Sequence, residues 1–180
     1  MARLPNPSRD GLSPADQEIW DRVWKTRGAV GGPQSVLMHV PALGSRIAEA
    51  GDYLRFHGRL APPDRELAML ATGREVEARY EWQAHEPIAL KEGVRPEAIE
   101  VIRNKGPVGG LAPREQLIIE VVRSLYREHR LSDDLFKRAA AELGTERLVE
   151  LVALAGHYGL LGFILNGFEV DLPPSAGLTF

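Results

Sequence analysis

The sequence predicts an all-α fold, a single-domain bundle of about eight helices. Three observations predict it. Prolines and capping residues recur where helices would begin, and the apolar residues that follow them recur at three- and four-residue spacing. No stretch shows the period-two alternation that is typical of a half-buried strand. A chain of 180 residues, 44% of them apolar, is long enough to bury one hydrophobic core.

The helices of the N-terminal half are delimited by proline and glycine. Ser13 and Pro14 form an N-cap and a first helical residue, and residues 28–33 end that helix. Pro41 begins the next helix, and residues 62–64 begin another. Each of these helices has apolar residues on one face, so each is expected to pack against the others.

The C-terminal half follows the same rules. Pro96 begins a short helix, and Pro113 begins a longer one. Ser132 caps a helix that is expected to stop near Gly144, and Thr145 caps the last helix. One domain spanning residues 1–180 accommodates all of these elements. Both ends, residues 1–12 and 171–180, are expected to be irregular tails.

Composition excludes several classes of function. The net charge of −3 offers no basic surface for nucleic acid or for an anionic membrane, so neither is expected as a partner. The chain has no cysteine, which excludes thiol catalysis, disulfides, cysteine zinc sites and iron–sulfur clusters. The N-terminus lacks the basic start and apolar run of a signal peptide, and a cytoplasmic location is expected.

The stretch from Leu148 to Phe168 is long and apolar, as a membrane span would be. It contains Glu150, His157 and Asn166, whose polar groups are costly in lipid. Its glycines recur every third residue, at Gly156, Gly159 and Gly162. We therefore expect a buried helix whose glycines let a neighbouring segment approach closely.

Four side chains with acid, base or cationic chemistry lie within 20 residues of one another. Glu81 and His85 are four residues apart, so on a helix they share a face, and the carboxylate would orient the imidazole and raise its basicity. Arg74 offers the planar double donor that suits a substrate carboxylate, and Glu66 is a possible second acid or base. The alternatives are a simple surface pair of Glu81 with His85, and an Arg74 that neutralises a nearby glutamate.

The same stretch carries a family resemblance. Tyr80-Glu81-Trp82 followed by His85 resembles a subgroup of the alkylhydroperoxidase D / carboxymuconolactone decarboxylase superfamily. Further similar segments occur in the same order, at 39–41, 65–70, 156–158 and 166–168. The peroxidase branch of that superfamily has a Glu, eleven residues, a Cys, two residues, a Cys, three residues and a His. At this spacing the present chain has Glu66, Ala78, Glu81 and His85, so it keeps the outer acid and the histidine but neither cysteine.

The resemblance implies a bend between the acidic residue and the histidine. On one straight helix Glu66 and Glu81 would be about 22 Å apart, too far to share a site. A break in the helix near residues 77–80, as in the superfamily, would bring Glu66, Glu81 and His85 into one partly buried pocket with Arg74 nearby.

The resemblance also implies a function. The expected activity is a cofactor-free decarboxylation or lactone transformation of a small carboxylated molecule, because a conjugated lactone can itself take up the carbanion charge. His85 would be the acid/base and Glu81 its orienting partner, with Glu66 as a further catalytic residue. Substrate contacts are expected from Arg74, Tyr80 and Trp82, although both aromatic residues suit a core or an interface equally well.

Three further expectations concern metals, assembly and the alternative function. Glu66, Glu81 and His85 could form a two-carboxylate, one-histidine metal set, but the spacing differs from the repeated Glu-x-x-His of ferritin-like sites, so no metal is expected.

A homo-oligomer, as a dimer, trimer or hexamer, is expected from the apolar helical faces and the resemblance. The alternative function is that of a non-catalytic, oligomeric binding protein descended from a peroxidase that lost its redox cysteines.

Overall fold

The structure is a computed structural model that describes residues 2–172 and residue 180. This part of the chain is all helical and has no strand, as predicted. A short 3₁₀ turn, Arg9–Gly11, precedes the first helix, and a π-helical turn, Tyr53–His57, follows the third. The eight α-helices are α1 (Pro14–Arg27), α2 (Pro33–Leu37), α3 (Pro41–Asp52), α4 (Pro62–Glu75), α5 (Arg79–Lys91), α6 (Pro96–Arg103), α7 (Pro113–Arg127) and α8 (Asp133–Gly167).

Proline begins most of these helices, because its fixed φ suits the first turn and its missing N–H has no partner there. The first helical residue of α1, α2, α3, α4, α6 and α7 is a proline. The side chain of Ser13 accepts a hydrogen bond from the backbone N–H of Asp16 (3.3 Å), as predicted for an N-cap. The short helix α2 was not predicted, since residues 28–33 read as a break and five residues are too few to show periodicity.

The predicted boundary near Gly144 is confirmed. The backbone of Gly144 leaves the helical conformation (φ 75°, ψ 164°) inside α8, so two helical segments meet there. By length and composition α8 could cross a membrane, yet 56% of its most apolar window is buried inside the protein. The prediction of a packed helix agrees with this burial.

The central element is α4, which packs against α5, α7 and α8. Every residue from 66 to 73 is buried, so α4 lies inside the protein rather than on its surface. Leu70 and Trp82 are among the fully buried side chains of the core that surrounds it. Glu66 therefore lies on a helix that has almost no contact with solvent, and it is only 1% exposed.

The chain breaks between α4 and α5, at the place the resemblance implied. Helix α4 ends at Glu75, and Glu77 has a left-handed backbone conformation (φ 56°) that a continuing helix cannot adopt. The N–H of Ala78 donates to the carbonyl of Gly73 (2.8 Å), which closes the turn. As a result α5 packs along α4, and its residues face those of α4.

Most of the C-terminal tail expected to be irregular, residues 173–179, lies outside the described residues. Phe180 is described, and its ring packs edge-on against Trp82 with 5.3 Å between the ring centroids. The guanidinium of Arg74 lies over the same ring, 4.2 Å from its centroid. Trp82 and Arg74 thus belong to a cluster around Phe180.

Candidate active site

The structure brings Glu66, Glu81 and His85 together. The Nδ1 atom of His85 lies 2.7 Å from Oε2 of Glu66, and its Nε2 atom lies 3.5 Å from Oε2 of Glu81. All three residues are at most 5% exposed. The predicted convergence follows from the α4–α5 turn, which places Glu66 of α4 opposite His85 of α5.

The two carboxylates make unequal contacts with the imidazole of His85. The 2.7 Å contact with Glu66 is a strong hydrogen bond, whereas 3.5 Å to Glu81 is at the limit of one. An ionised carboxylate only accepts hydrogen bonds, so the Glu66 contact favours the tautomer with its proton on Nδ1. Nε2 is then the basic nitrogen, on the side of the ring that faces Glu81. The shorter contact of His85 is therefore with Glu66, whereas the sequence analysis expected Glu81 as its orienting partner.

Burial raises the pKa of Glu81 above that of an ordinary carboxyl group, because an ionised carboxylate is costly away from water. A protonated His85 and the positive charges of Arg55 and Arg27 oppose this rise, and the negative charge of Glu66 adds to it. Glu81 thus keeps its proton to higher pH than an exposed glutamate. A protonated Glu81 can donate a proton to Nε2 of His85 or to a ligand.

A cavity of about 270 Å³ lies against these residues, and its size suits a small ligand. Its polar lining residues are Arg27, Gln34, Arg55, Tyr80, Glu81, His85 and Tyr158. Glu66 is not in contact with the cavity, because it lies behind the ring of His85. The edge of the Tyr158 ring packs against His85, with 5.1 Å between centroids, and limits the movement of the imidazole.

Arg74 and Trp82 do not line this cavity, so their placement does not support the predicted substrate contacts. Arg74 donates from Nε to the carbonyl of Arg103 (2.7 Å) and pairs with Glu77 (2.6 Å). The alternative interpretation, that Arg74 neutralises a nearby glutamate, fits this placement. Trp82 is fully buried and donates to Glu86 (2.9 Å). Tyr80 does line the cavity.

The sequence analysis missed the cationic residues of the site, Arg27 and Arg55, and the amide of Gln34. They come from α1, from the π-helical turn and from α2, so no local spacing connects them with His85. One indication was present in the sequence, for Arg27: it continues the three- and four-residue spacing of the apolar residues of α1, so it lies on the face of α1 that packs against the protein. Across residues 2–172 and 180, no group of three or more His, Asp or Glu side chains is arranged to hold a metal ion.

Comparison with known sequences gives one family. Residues 41–123 match the model of the carboxymuconolactone decarboxylase family. The matched segment contains Glu66, Glu81 and His85, and it leaves out Arg27 and Gln34. No curated protein sequence matches the chain.

Comparison with solved structures gives the fold. A peroxidase-related protein from Ralstonia eutropha, described as an alkylhydroperoxidase AhpD core, has a TM-score of 0.76 and 20% identity, covering 96% of this chain and 93% of its own. A peroxidase-related protein from a Silicibacter species has a TM-score of 0.77 and 12% identity, covering 99% of this chain and 95% of its own. A cysteine-to-alanine variant of the debrominase Bmp8, in complex with 2,3,4-tribromopyrrole, has a TM-score of 0.70 and 12% identity, covering 97% of this chain and 94% of its own. The predicted resemblance is therefore confirmed: the chain has the alkylhydroperoxidase D-like fold, and within it residues 41–123 match the model of the carboxymuconolactone decarboxylase family.

Proposed function

We propose that this protein is an enzyme that carries out cofactor-free acid/base chemistry, decarboxylation or lactone transformation, on a small carboxylated molecule. One observation carries the proposal: the 2.7 Å contact between Glu66 and Nδ1 of His85, which leaves Nε2 as a base at the wall of a small cavity. The family match over residues 41–123 supports the same class of reaction.

The proposed roles follow from the geometry. Glu66 orients the imidazole of His85 and stabilises its protonated form, as a buried carboxylate does for a catalytic histidine. Glu81 faces the cavity and, with its pKa raised by burial, supplies or accepts the proton together with His85. In a decarboxylation the bond from carbon to the leaving carboxylate breaks, carbon dioxide departs, and the electron pair passes into the conjugated lactone carbonyl. The proton from Glu81 or His85 then completes the product.

The chain offers no thiol for peroxide chemistry. The two cysteine positions of the peroxidase spacing hold Ala78 and Glu81, and the sequence contains no cysteine elsewhere. A carboxyl group cannot replace a thiolate as the nucleophile that attacks a peroxide. We therefore propose that the relay of Glu66 and His85 serves proton transfer to and from a carbon acid or lactone.

A second candidate is a non-catalytic oligomeric binding protein. The observation that favours it is that both ring nitrogens of His85 already face carboxylates. Two features favour the enzyme instead: His85 lines an open cavity, and the long contact with Glu81 leaves Nε2 available.

The test is a panel of small carboxylated lactones and related acids, assayed for carbon dioxide release and for loss of ring absorbance. Once an active compound is found, His85→Gln should lower kcat by about 10²–10⁴-fold, because an amide does not titrate near neutral pH. Glu66→Gln should lower it less, as expected for the loss of an orienting partner. The matched control is His57→Gln, since His57 is exposed and lies outside the cavity.

Unchanged turnover in His85→Gln would remove His85 from the mechanism. If no compound of the panel reacts while ligands bind in the cavity, the non-catalytic candidate is the better one. Glu81→Gln separates the roles of the two glutamates, because this variant should change the pH dependence of kcat. Glu66→Gln should mainly lower the magnitude of kcat and leave its pH dependence unchanged.

A further inference from the structure

We propose that Arg55, together with the fixed guanidinium of Arg27, forms an anion-binding end of the cavity that holds a carboxylate of the substrate. This inference deepens the proposed function and rests on it in one respect only, that the cavity beside His85 is the reactive site. It replaces Arg74, which lies elsewhere, as the carboxylate anchor.

The two arginines of the cavity differ in how their charge is balanced. Arg27 donates to Asp52 (2.7 Å) and to the carbonyl of Ala48 (3.1 Å), so its charge is neutralised and its position is fixed. Arg55 forms no ion pair with any described residue; the contact that its guanidinium makes is with the ring of Phe56, 5.1 Å from the centroid. A half-buried guanidinium without a carboxylate partner attracts an anion.

Two buried polar atoms at this end also have no partner. The amide oxygen of Gln34 makes no hydrogen bond to any described residue, although Gln34 is only 4% exposed. The same holds for Nε of Arg27. Buried polar groups are normally paired, so unpaired ones in a cavity wall mark positions where a bound polar molecule gains hydrogen bonds. The N–H at Nε of Arg27 and the guanidinium of Arg55 are donors and suit the oxygens of a carboxylate, whereas the amide oxygen of Gln34 is an acceptor and suits a hydroxyl or N–H group of the same ligand.

The acidic residue in the lining of the cavity, Glu81, makes no ion pair with Arg55. Burial raises the pKa of Glu81, so its carboxyl group is ionised less readily than that of an exposed glutamate. Because Arg27 is already paired with Asp52, the guanidinium of Arg55 is the one that an anion can neutralise. A small molecule with a carboxylate therefore fits better than its neutral isostere.

The anchored carboxylate is a group that the reaction keeps. An ion pair with Arg55 stabilises a carboxylate more than it stabilises neutral carbon dioxide, so it would oppose the loss of that same group. The reacting carbon must then lie away from Arg55, on the side of Glu81 and His85. Arg55 is thus a binding residue, and its loss should raise KM while leaving kcat nearly unchanged.

The test measures binding of benzoate and of its neutral isostere benzamide by titration calorimetry on the full chain. We expect benzoate to bind at least tenfold more tightly than benzamide, and Arg55→Gln to remove this preference. Arg59→Gln is the matched control: Arg59 lies four residues along the chain, its side chain is 63% exposed, and it does not line the cavity. Thermal unfolding of each variant checks that the fold is retained.

Equal binding of benzoate and benzamide, or no binding of either, would overturn the anion-binding inference, as would the same loss of affinity in Arg59→Gln. His85→Gln separates this inference from the proposed function, because it should abolish turnover of an active lactone and still bind benzoate. If benzoate binding depends on Arg55 but no lactone of the panel reacts, the anion site stands and the proposed activity fails. If lactone turnover depends on His85 but benzoate has no advantage over benzamide, the activity stands and the anion site fails.

Discussion

Gly162 of α8 lies directly against Val76, in the turn between α4 and α5. A Cβ atom at position 162 would lie 2.6 Å from Cγ2 of Val76 and 3.1 Å from Cβ of Ala78, closer than side chains pack. Four residues on, the side-chain amide of Asn166 donates to the carbonyl of Val76 (2.8 Å). Helix α8 therefore packs against the turn that brings Glu66 opposite His85. The glycine at position 162 permits this close approach.

The first prediction concerns this close approach. Gly162→Ala should lower the free energy of unfolding by about 1–3 kcal/mol, because the added methyl group has no space beside Val76. Gly167→Ala is the control, since nothing lies within 4 Å of a Cβ there, and it should be neutral or stabilising by up to about 1 kcal/mol. Urea unfolding of both variants measures the difference. Equal effects at the two positions would show that Val76 does not restrict the side chain at position 162.

The helices and the Glu81–His85 pair were predictable from the sequence because both depend on local features, whereas the placement of Glu66 opposite His85 followed from the chain break that the family resemblance implied. Proline at a first helical position and the spacing of Glu81 from His85 act within a few residues. The cationic part of the site was not predictable in this way, since Arg27 and Arg55 reach the cavity only through packing of α1 and the π-helical turn near α5. Arg74 lies close to the motif in sequence, and its helix nevertheless directs it to Arg103 and Glu77.

The second prediction concerns the pH dependence of stability at Glu81. Its pKa is raised in the folded state, so its favourable contribution is complete below the ordinary pKa of glutamate and is lost as pH rises through the folded-state pKa. Glu81→Gln removes this titration, so the stability of the variant relative to the parent should increase as pH rises above the ordinary pKa of glutamate. Urea unfolding at several pH values measures it, with the exposed Glu18→Gln as control. A pH-independent difference would contradict the raised pKa.

The third prediction concerns His157, which lies beside Arg27. Burial and the charge of Arg27 lower the pKa of His157 to about 4, and Asp52 opposes this only partly. Its neutral form stabilises the fold above the ordinary histidine pKa, and this stabilisation is lost as pH falls towards 4. His157→Gln should therefore reduce acid destabilisation, by at most about 3 kcal/mol, since one pKa unit corresponds to about 1.4 kcal/mol. His39→Gln, at an exposed residue, is the control for the loss of a histidine.

The fourth prediction separates Arg74 from the substrate. A lysine at this position cannot donate to both the Arg103 carbonyl and Glu77 as the guanidinium does. Arg74→Lys should therefore lower the free energy of unfolding by about 0.5–1.5 kcal/mol. Benzoate affinity should stay the same, because Arg74 does not line the cavity. A loss of benzoate affinity with unchanged stability would restore Arg74 as the carboxylate anchor.

The last prediction is that the chain forms a homo-oligomer through the exposed face of α8. Val152, Leu160 and Phe163 are 37%, 40% and 66% exposed, and they line an apolar groove of about 660 Å³. Such a large exposed apolar face is rarely left uncovered in a soluble protein. Phe163→Glu should dissociate the assembly at micromolar concentration, because a charge buried in an apolar interface has no partner. Leu43→Glu, at a 50% exposed residue of α3, is the control and should leave the assembly intact. Sedimentation velocity measures both, and a parent protein that sediments as a compact monomer would refute the interface.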